Sequence, residues 1–274
     1  MKLKITEPEY YLPQIEATMS AKVMDSGTTK PMLIKGIDVQ SGGRGQYVVK
    51  FINSTRMTAS ACARELLGAW IGTELGLNMV EPVLVNISQD FVETLRGQDG
   101  FLAAQNSIGL NFGSNYVVGY SELVVGRPIP SSIDNALLKD IFAFDMFISN
   151  ADRGAGKPNL LTNGKDFLLF DHELAFSFIY SLPFLRNKTP WIFGEAEREL
   201  YKKHYFYNYL KGTNIDFEAF TEQFRSIDEQ FWSKALSLIP KSWQTDDLKV
   251  IKDYLKLISD NHKTFSEQLK LILT

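Results

Sequence analysis

The chain carries a single cysteine, Cys62, in 274 residues. One thiol excludes an intramolecular disulfide framework and any cluster of thiolate metal ligands, and it fits a reducing compartment. No apolar run reaches the length of a membrane span, and the opening MKLKITEPEYYLPQIEA has charges and a proline where a secretory signal needs an apolar core. A soluble, cytoplasmic protein is the expectation. Neither sign of charge dominates: 29 basic side chains face 32 acidic ones, with no long block of either. Nucleic acid and anionic membranes are therefore not expected partners. Fixed-period repeats and low-complexity tracts are absent as well. What is plentiful is apolar surface, 45% of residues, enough for a packed core in one large domain or two smaller ones.

The two halves differ in pattern. Between residues 17 and 52, the segments ATMSAKVM, PMLIKGIDVQ and QYVVKFI are short and partly alternating, separated by DSGTTK and SGGRG. That is the pattern of neighbouring antiparallel strands. TASACARELLGAWIGTEL then places Ala63, Leu67, Ile71 and Leu75 on one helical face, with Gly76 as its cap. EPVLVNIS and YVVGYSELVVG supply two further strand candidates, so residues 1–125 read as a sheet with one long helix. After Pro130 the pattern turns helical. Ser131 and Asp134 match a capping box, and Ile133, Leu137, Ile141, Phe144 and Ile148 form a stripe. Three more amphipathic helices are expected in EAERELYKKHYFYNYL, DFEAFTEQFRSIDEQFWSKALSLI and TDDLKVIKDYLKLISDNHKTFSEQLKLIL. The fold class is α+β: a small antiparallel-sheet lobe followed, from residue 126 to 274, by a helical one. Ligands commonly bind in the cleft between two such units.

Five polar groups stand where they line such a cleft. In YVVKF, Tyr47, Val49 and Phe51 face one way and Val48 and Lys50 the other, so Lys50 is half-buried and needs a partner. Glu65 shares a helical stripe with Ala61, Gly68 and Gly72, which permits close approach to another surface. Each of those glycines costs about 1 kcal/mol relative to alanine, a cost that close approach explains. The stretch ISNADRGAGKPNLLTNGKDFLLFDHELAF supplies the rest: Asp152 beyond a buried helix, Asn159 seven residues on, and Asp171 after an apolar strand. Asn159 and Asp171 offer the oxygen ligands that suit Mg²⁺, leaving Asp152 as a base. Taken singly, each is an ordinary turn or strand-end residue.

Together, a strand lysine, a helix glutamate, Asp-x₆-Asn and a strand-ending Asp are the ordered parts of the protein-kinase-like fold. YVVKFINSTRMTASACARELLGAWIGTELGLNMVEPVLVNI, NFGSNYVVGYSEL and NADRGAGKPNLL…LLFDHELAF resemble the HipA-like kinases, relatives of the HipA serine/threonine kinases, and more distantly the phosphoinositide kinases. The resemblance covers residues 20 to 180. It implies an ATP- and Mg²⁺-dependent phosphotransferase in which Lys50 binds the α/β-phosphates and Glu65 holds it. Asp152 orients or deprotonates a serine or threonine hydroxyl of a protein substrate, and Asn159 and Asp171 bind Mg²⁺. A toxin-like role with a partner encoded nearby is implied by the family alone, and no helix-turn-helix is evident. The relatives have four residues between Asp and Asn. This chain has six, so the insert around Gly154–Lys157 either bulges outward or misplaces Asn159. Ser26, Gly27, Thr28, Thr29 and Lys30 take the place of a phosphate-covering loop, whereas SGGRG reads as a plain hairpin. By order of parts, adenine meets the backbone at Gly119, Tyr120, Ser121, Glu122 and Leu123. His204 and His262 read as ordinary helix positions, and Cys62 has no assigned role. Two other readings remain: a regulatory or binding protein on a kinase scaffold, and a small-molecule or lipid kinase, with the lack of a basic membrane-facing patch counting against lipid.

Overall fold

The structure is a computed structural model describing residues 2–24 and 29–274. Ser26, Gly27 and Thr28 lie outside the described residues. Along the chain run β1 (Gln14–Val23), β2 (Met32–Asp38), β3 (Arg44–Lys50), α1 (Ala59–Glu74), β4 (Pro82–Ile87), α2 (Gln89–Thr94), α3 (Phe101–Gln105), β5 (Gly109–Asn115), β6 (Ser121–Glu122), α4 (Asn135–Phe147), β7 (Leu160–Thr162) and β8 (Phe167–Leu169). Helices α5 (Glu195–Tyr201), α6 (Tyr207–Leu210), α7 (Glu218–Glu222), α8 (Glu229–Leu238), α9 (Asp247–Asp260) and α10 (His262–Leu273) complete the mixed α+β chain.

Five strands close into a barrel in the order β1-β2-β3-β5-β4, antiparallel except where β4 returns beside β1. Ile15, Ile34, Val49, Val83, Val85 and Ile87 fill its interior. The alternation expected for β3 holds: Val49 is in that core, while Val48 and Lys50 face a cavity on the other side. SGGRG is the β2–β3 hairpin, in which Asp38 accepts from the Ser41 hydroxyl and the Gln40 N–H. A second sheet, β6-β7-β8, abuts the same cavity.

The strand expected in YVVGYSELVVG is reduced to Ser121–Glu122, and the true neighbour of β3 is β5, GLNFGSN. Two glycines and two asparagines hid β5, since such residues are depleted in strands. Gly113 is there for space: a Cβ on it meets Val85 Cγ2 at 2.5 Å and the Val48 carbonyl at 3.2 Å. Val118, Val124 and Val125, which suggested a strand, stand exposed.

Helix α1 begins as expected, with Thr58 Oγ1 accepting the Ala61 N–H at 3.1 Å, and ends beside Gly76, whose φ of 81° is left-handed. The glycine stripe is used in full. Gly68 lies against His172 and Gly72 against the Met79 side chain, leaving no room for a methyl group. Helix α4 starts later than the expected capping box: Asp134, not Ser131, is its cap and accepts the Ala136 N–H at 2.9 Å. The three long C-terminal helices are each broken, between α5 and α6, before the Asp228 cap of α8, and at Asn261. Amphipathic pattern persists across these breaks because both pieces of each pair cover the same large core, which also takes in Leu66 and Trp70 of α1. Among the described residues no helix is long and apolar enough to cross a membrane.

Gly68→Ala tests the close approach that seats α1. The added methyl lies 2.5 Å from the His172 Cβ, and overpacking of that kind destabilises by about 1–3 kcal/mol. A urea midpoint lowered at unchanged m-value is the expected result, and an unchanged midpoint contradicts the packing described.

Candidate active site

Lys50 ends β3 buried among three carboxylates. Its Nζ donates to Glu65 Oε1, to Asp171 Oδ1 at 2.6 Å and to Glu173 Oε2 at 3.2 Å. Burial alone lowers an ammonium, but Glu65, Asp171 and Glu173 reverse this and hold Lys50 above its ordinary range. Burial pushes the Glu65 carboxyl up, against the pull of Lys50. The second Glu65 oxygen accepts the backbone N–H of His172 at 2.7 Å. One carboxylate thus ties the barrel to the segment that follows β8. Burial also opposes ionisation of Asp171, yet Lys50 and Lys157 hold its carboxyl well below the usual carboxylate range.

The loop after α4 is organised by Arg153, which the sequence reading passed over. Its side chain is fully buried, and its Nε donates to Asp145 Oδ2 on α4 at 2.6 Å. Nη1 donates to the carbonyls of Pro158 and Asn159 at 3.0 and 2.6 Å, and Nη2 faces His172 Nε2 at 3.4 Å. Asp145 also accepts from Asn150 Nδ2 at 2.8 Å and His204 Nε2 at 2.9 Å. Burial raises an aspartate, but here Arg153 and His204 bring Asp145 below its ordinary value. His204 is not the helix residue that its setting in the sequence suggested. It sits between α5 and α6, bridged to Gly154, with Nδ1 accepting the Phe206 N–H at 3.2 Å. That hydrogen bond fixes the neutral ring with its proton on Nε2. His172, buried beside Arg153, is pushed down to about 3 and is likewise neutral.

With Arg153 holding both ends, the insert bulges outward. Gly154 and Lys157 pair across a tight turn, and Asn159 returns to donate from Nδ2 to Asp152 Oδ2 at 3.0 Å. The turn delivers Lys157 to Asp171 Oδ2 at 2.9 Å. Asp152 is half-buried and Asn159 buried. Lys50, Glu65 and Asp171 meet at one end of the cavity that Val48, Phe112, Leu161 and Leu169 line with apolar surface. Thr29 reaches this cavity, whereas Lys30 does not line it. Tyr120, Ser121 and Glu122 line it too, while Gly119 and Leu123 do not: the Leu123 N–H is spent on the Leu160 carbonyl at 2.9 Å. Ser114 to Val117 lie along the same wall and were missed because β5 was. Lys157 and Glu173 were missed although both stand in the quoted stretch. Only the fold shows that they turn towards Asp171 and Lys50. Cys62 is buried, which pushes its thiol up to about 12.

The donor set fits a divalent cation. Asn159 Oδ1 is buried without a hydrogen-bond partner among the described residues, although its Nδ2 is engaged. An orphaned buried carbonyl of this kind calls for a donor or a cation. Oxygens of Glu65, Asp171 and Glu173 lie within 4.8 Å of one another. Asn159 and Asp171 also hold left-handed φ values of 50° and 65°, a conformation in which Asn and Asp are enriched.

The neutral His204 gives a pH prediction. Burial lowers its folded pKa below the unfolded value near 6.5, so unfolding takes up a proton below that pH. This contribution is complete above pH 6.5 and is lost as pH falls through the folded pKa, with a slope up to about 1.4 kcal/mol per pH unit. The urea midpoint is therefore expected to fall between pH 7.5 and 5, and His204→Asn to be less stable at pH 7.5 but flatter in that window. An equally steep profile in the variant removes His204 as a source.

Comparison with known proteins bears on what this arrangement is. No curated protein matches the chain. Among solved structures, the Helicobacter pylori proinflammatory kinase CtkA is similar at 15% identity and a TM-score of 0.47, over 91% of this chain and 93% of that one. A family model described as HipA-like kinase matches residues 18–268, taking in the C-terminal helices beyond the stretch that carried the sequence resemblance. The chain belongs to the HipA-like kinase family.

Proposed function

We propose that this kinase transfers the γ-phosphoryl group of ATP to a serine or threonine hydroxyl of a protein. In this reading residues 1–125 form a nucleotide-holding lobe and residues 126–274 a helical lobe carrying the catalytic loop. The observation that carries it is the convergence of Lys50, Glu65 and Asp171, from three separate elements, at the end of an apolar cavity. Val48 on one side and Leu161 and Leu169 on the other offer faces for a flat base. Lys50, fully charged, meets the α/β-phosphates while Glu65 keeps it aimed. Asp152 accepts the hydroxyl proton or orients the acceptor, and Asn159 Nδ2 holds that carboxylate in place. Lys157 is free to leave Asp171 for a phosphate oxygen, since its side chain is half exposed. Asn159 and Asp171 are the residues that would hold Mg²⁺, with Glu173 beside Asp171. When bound, that ion offsets the charge of the transferring phosphoryl group. The serine/threonine acceptor rests on the resemblance to the HipA kinases.

One observation favours the alternative, a binding protein on a kinase scaffold: both Asp171 oxygens are already taken by lysines. Two measurements separate the readings. ATP with Mg²⁺ is expected to raise the melting temperature, a stabilisation of about 2.7 kcal/mol at a hundred times Kd. Asp152→Asn is expected to keep that shift yet transfer labelled phosphate to protein in a cell extract about 10²-fold more slowly or worse. Transfer at the wild-type rate by Asp152→Asn removes the assigned base, and the absence of any shift with ATP favours the scaffold reading.

A further inference from the structure

Arg64 is the neighbour of Glu65 on α1 and is 3% exposed. Its three hydrogen-bond partners are all neutral oxygens. Nε donates to the Glu173 carbonyl at 2.8 Å, Nη1 to Ser60 Oγ at 2.7 Å and Nη2 to the Tyr180 hydroxyl at 2.7 Å. Among the described residues it makes no ion pair, and its link to a carboxylate is indirect: Ser60 Oγ donates onward to Asp247 Oδ2 at 2.6 Å. The contrast with Arg153 is direct, since that buried guanidinium has Asp145 at 2.6 Å. A buried cation that meets only neutral acceptors is under-compensated, and an anion brought to it gains more than at the surface.

Tyr180 stands at the other end of this contact and faces outward. It closes the short helical turn Ser177–Tyr180 and is 64% exposed. Its ring lies 5.4 Å from the Arg64 guanidinium carbon. A second guanidinium is at the same turn: Arg186 donates to the carbonyls of Ser181 and Ile179 at 3.2 and 3.4 Å. The hydroxyl is thus reachable from solvent through an exposed ring, yet already touches a buried arginine.

We propose that Tyr180 is a phosphorylation site and that Arg64 is the receptor of its phosphate. Phosphorylation adds nearly two negative charges and three acceptor oxygens at the atom that Nη2 already contacts. The planar guanidinium is suited to take two of those oxygens side by side. In the reaction the γ-phosphorus of ATP bonds to Tyr180 Oη as its bond to the β–γ bridging oxygen breaks. ADP leaves with that electron pair, and the phenolic proton passes to a base. The product clamps α1 to the segment that runs from Asp171 to Tyr180.

Two experiments test this. The full chain with phosphotyrosine incorporated at position 180 is followed by phosphorus NMR against pH. The second ionisation of the phosphate, ordinarily near 6, is expected about one unit or more lower. It should return towards the ordinary value when Arg64→Gln carries the same group, with Arg64→Lys intermediate. An ordinary value in the otherwise wild-type chain overturns Arg64 as receptor, and because no catalysis is involved this outcome is independent of the proposed function. For the modification itself, wild-type protein with ATP and Mg²⁺, and Asp152→Asn protein with ATP and a cell extract, are mapped by mass spectrometry. Phosphate on Tyr180 in either arm supports the site, the first arm assigning it to the chain itself and the second to another kinase. Its absence from both, with Tyr180→Phe matching wild type in phosphate content, overturns it.

Discussion

The buried guanidinium of Arg153 is the point on which this architecture depends. A charge with no solvent exposure is tolerated only when its donors are met, and here α4, the two carbonyls leading into β7, and the ring of His172 all supply acceptors. These acceptors belong to three different stretches of chain. Satisfying one side chain therefore fixes where the loop after α4 begins, where it ends and what lies behind it. His204 enters the same set through Asp145, so the break between α5 and α6 follows from it as well.

Glu65 does for the barrel what Arg153 does for the loop. Its two oxygens face opposite directions, one to Lys50 on β3 and one to the His172 N–H. The carboxylate can only span that gap because Gly68 and Gly72 let α1 lie directly on His172 and Met79. Helix propensity is sacrificed for position, and the position places a charge cluster at the floor of an apolar cavity. That cluster is internally balanced to within one charge, with Lys50 and Lys157 against Glu65, Asp171 and Glu173.

Two of the left-handed residues, Asn159 and Asp171, bracket the β7–β8 hairpin. Their backbones are held in a sparsely populated conformation by the strands between them and by Arg153 below. Side chains so fixed are pre-organised, which is what a site that binds a cation or a phosphate requires. The insert is accommodated outside this frame, as a turn that adds Lys157 without moving Asn159.

The sequence alone determined α1 with its cap and glycine stripe, the first four strands and the hairpin at SGGRG, and it singled out Lys50, Glu65, Asp152, Asn159 and Asp171 as candidates, of which the fold brings Lys50, Glu65 and Asp171 together and pairs Asn159 with Asp152. These are features of local pattern: period, turn chemistry, and polar residues at the ends of apolar runs. The β5 strand and the helix breaks were not legible, because β5 uses glycine where a neighbouring wall needs space and because amphipathic pattern continues through a break when both sides cover one core. Arg153, His204, Glu173, Lys157 and Arg64 look in the sequence like ordinary charged or loop residues. Only the tertiary structure decided their parts, because each takes its role from partners that local pattern does not reveal, from the Pro158 carbonyl five residues from Arg153 to Lys50, 123 residues from Glu173.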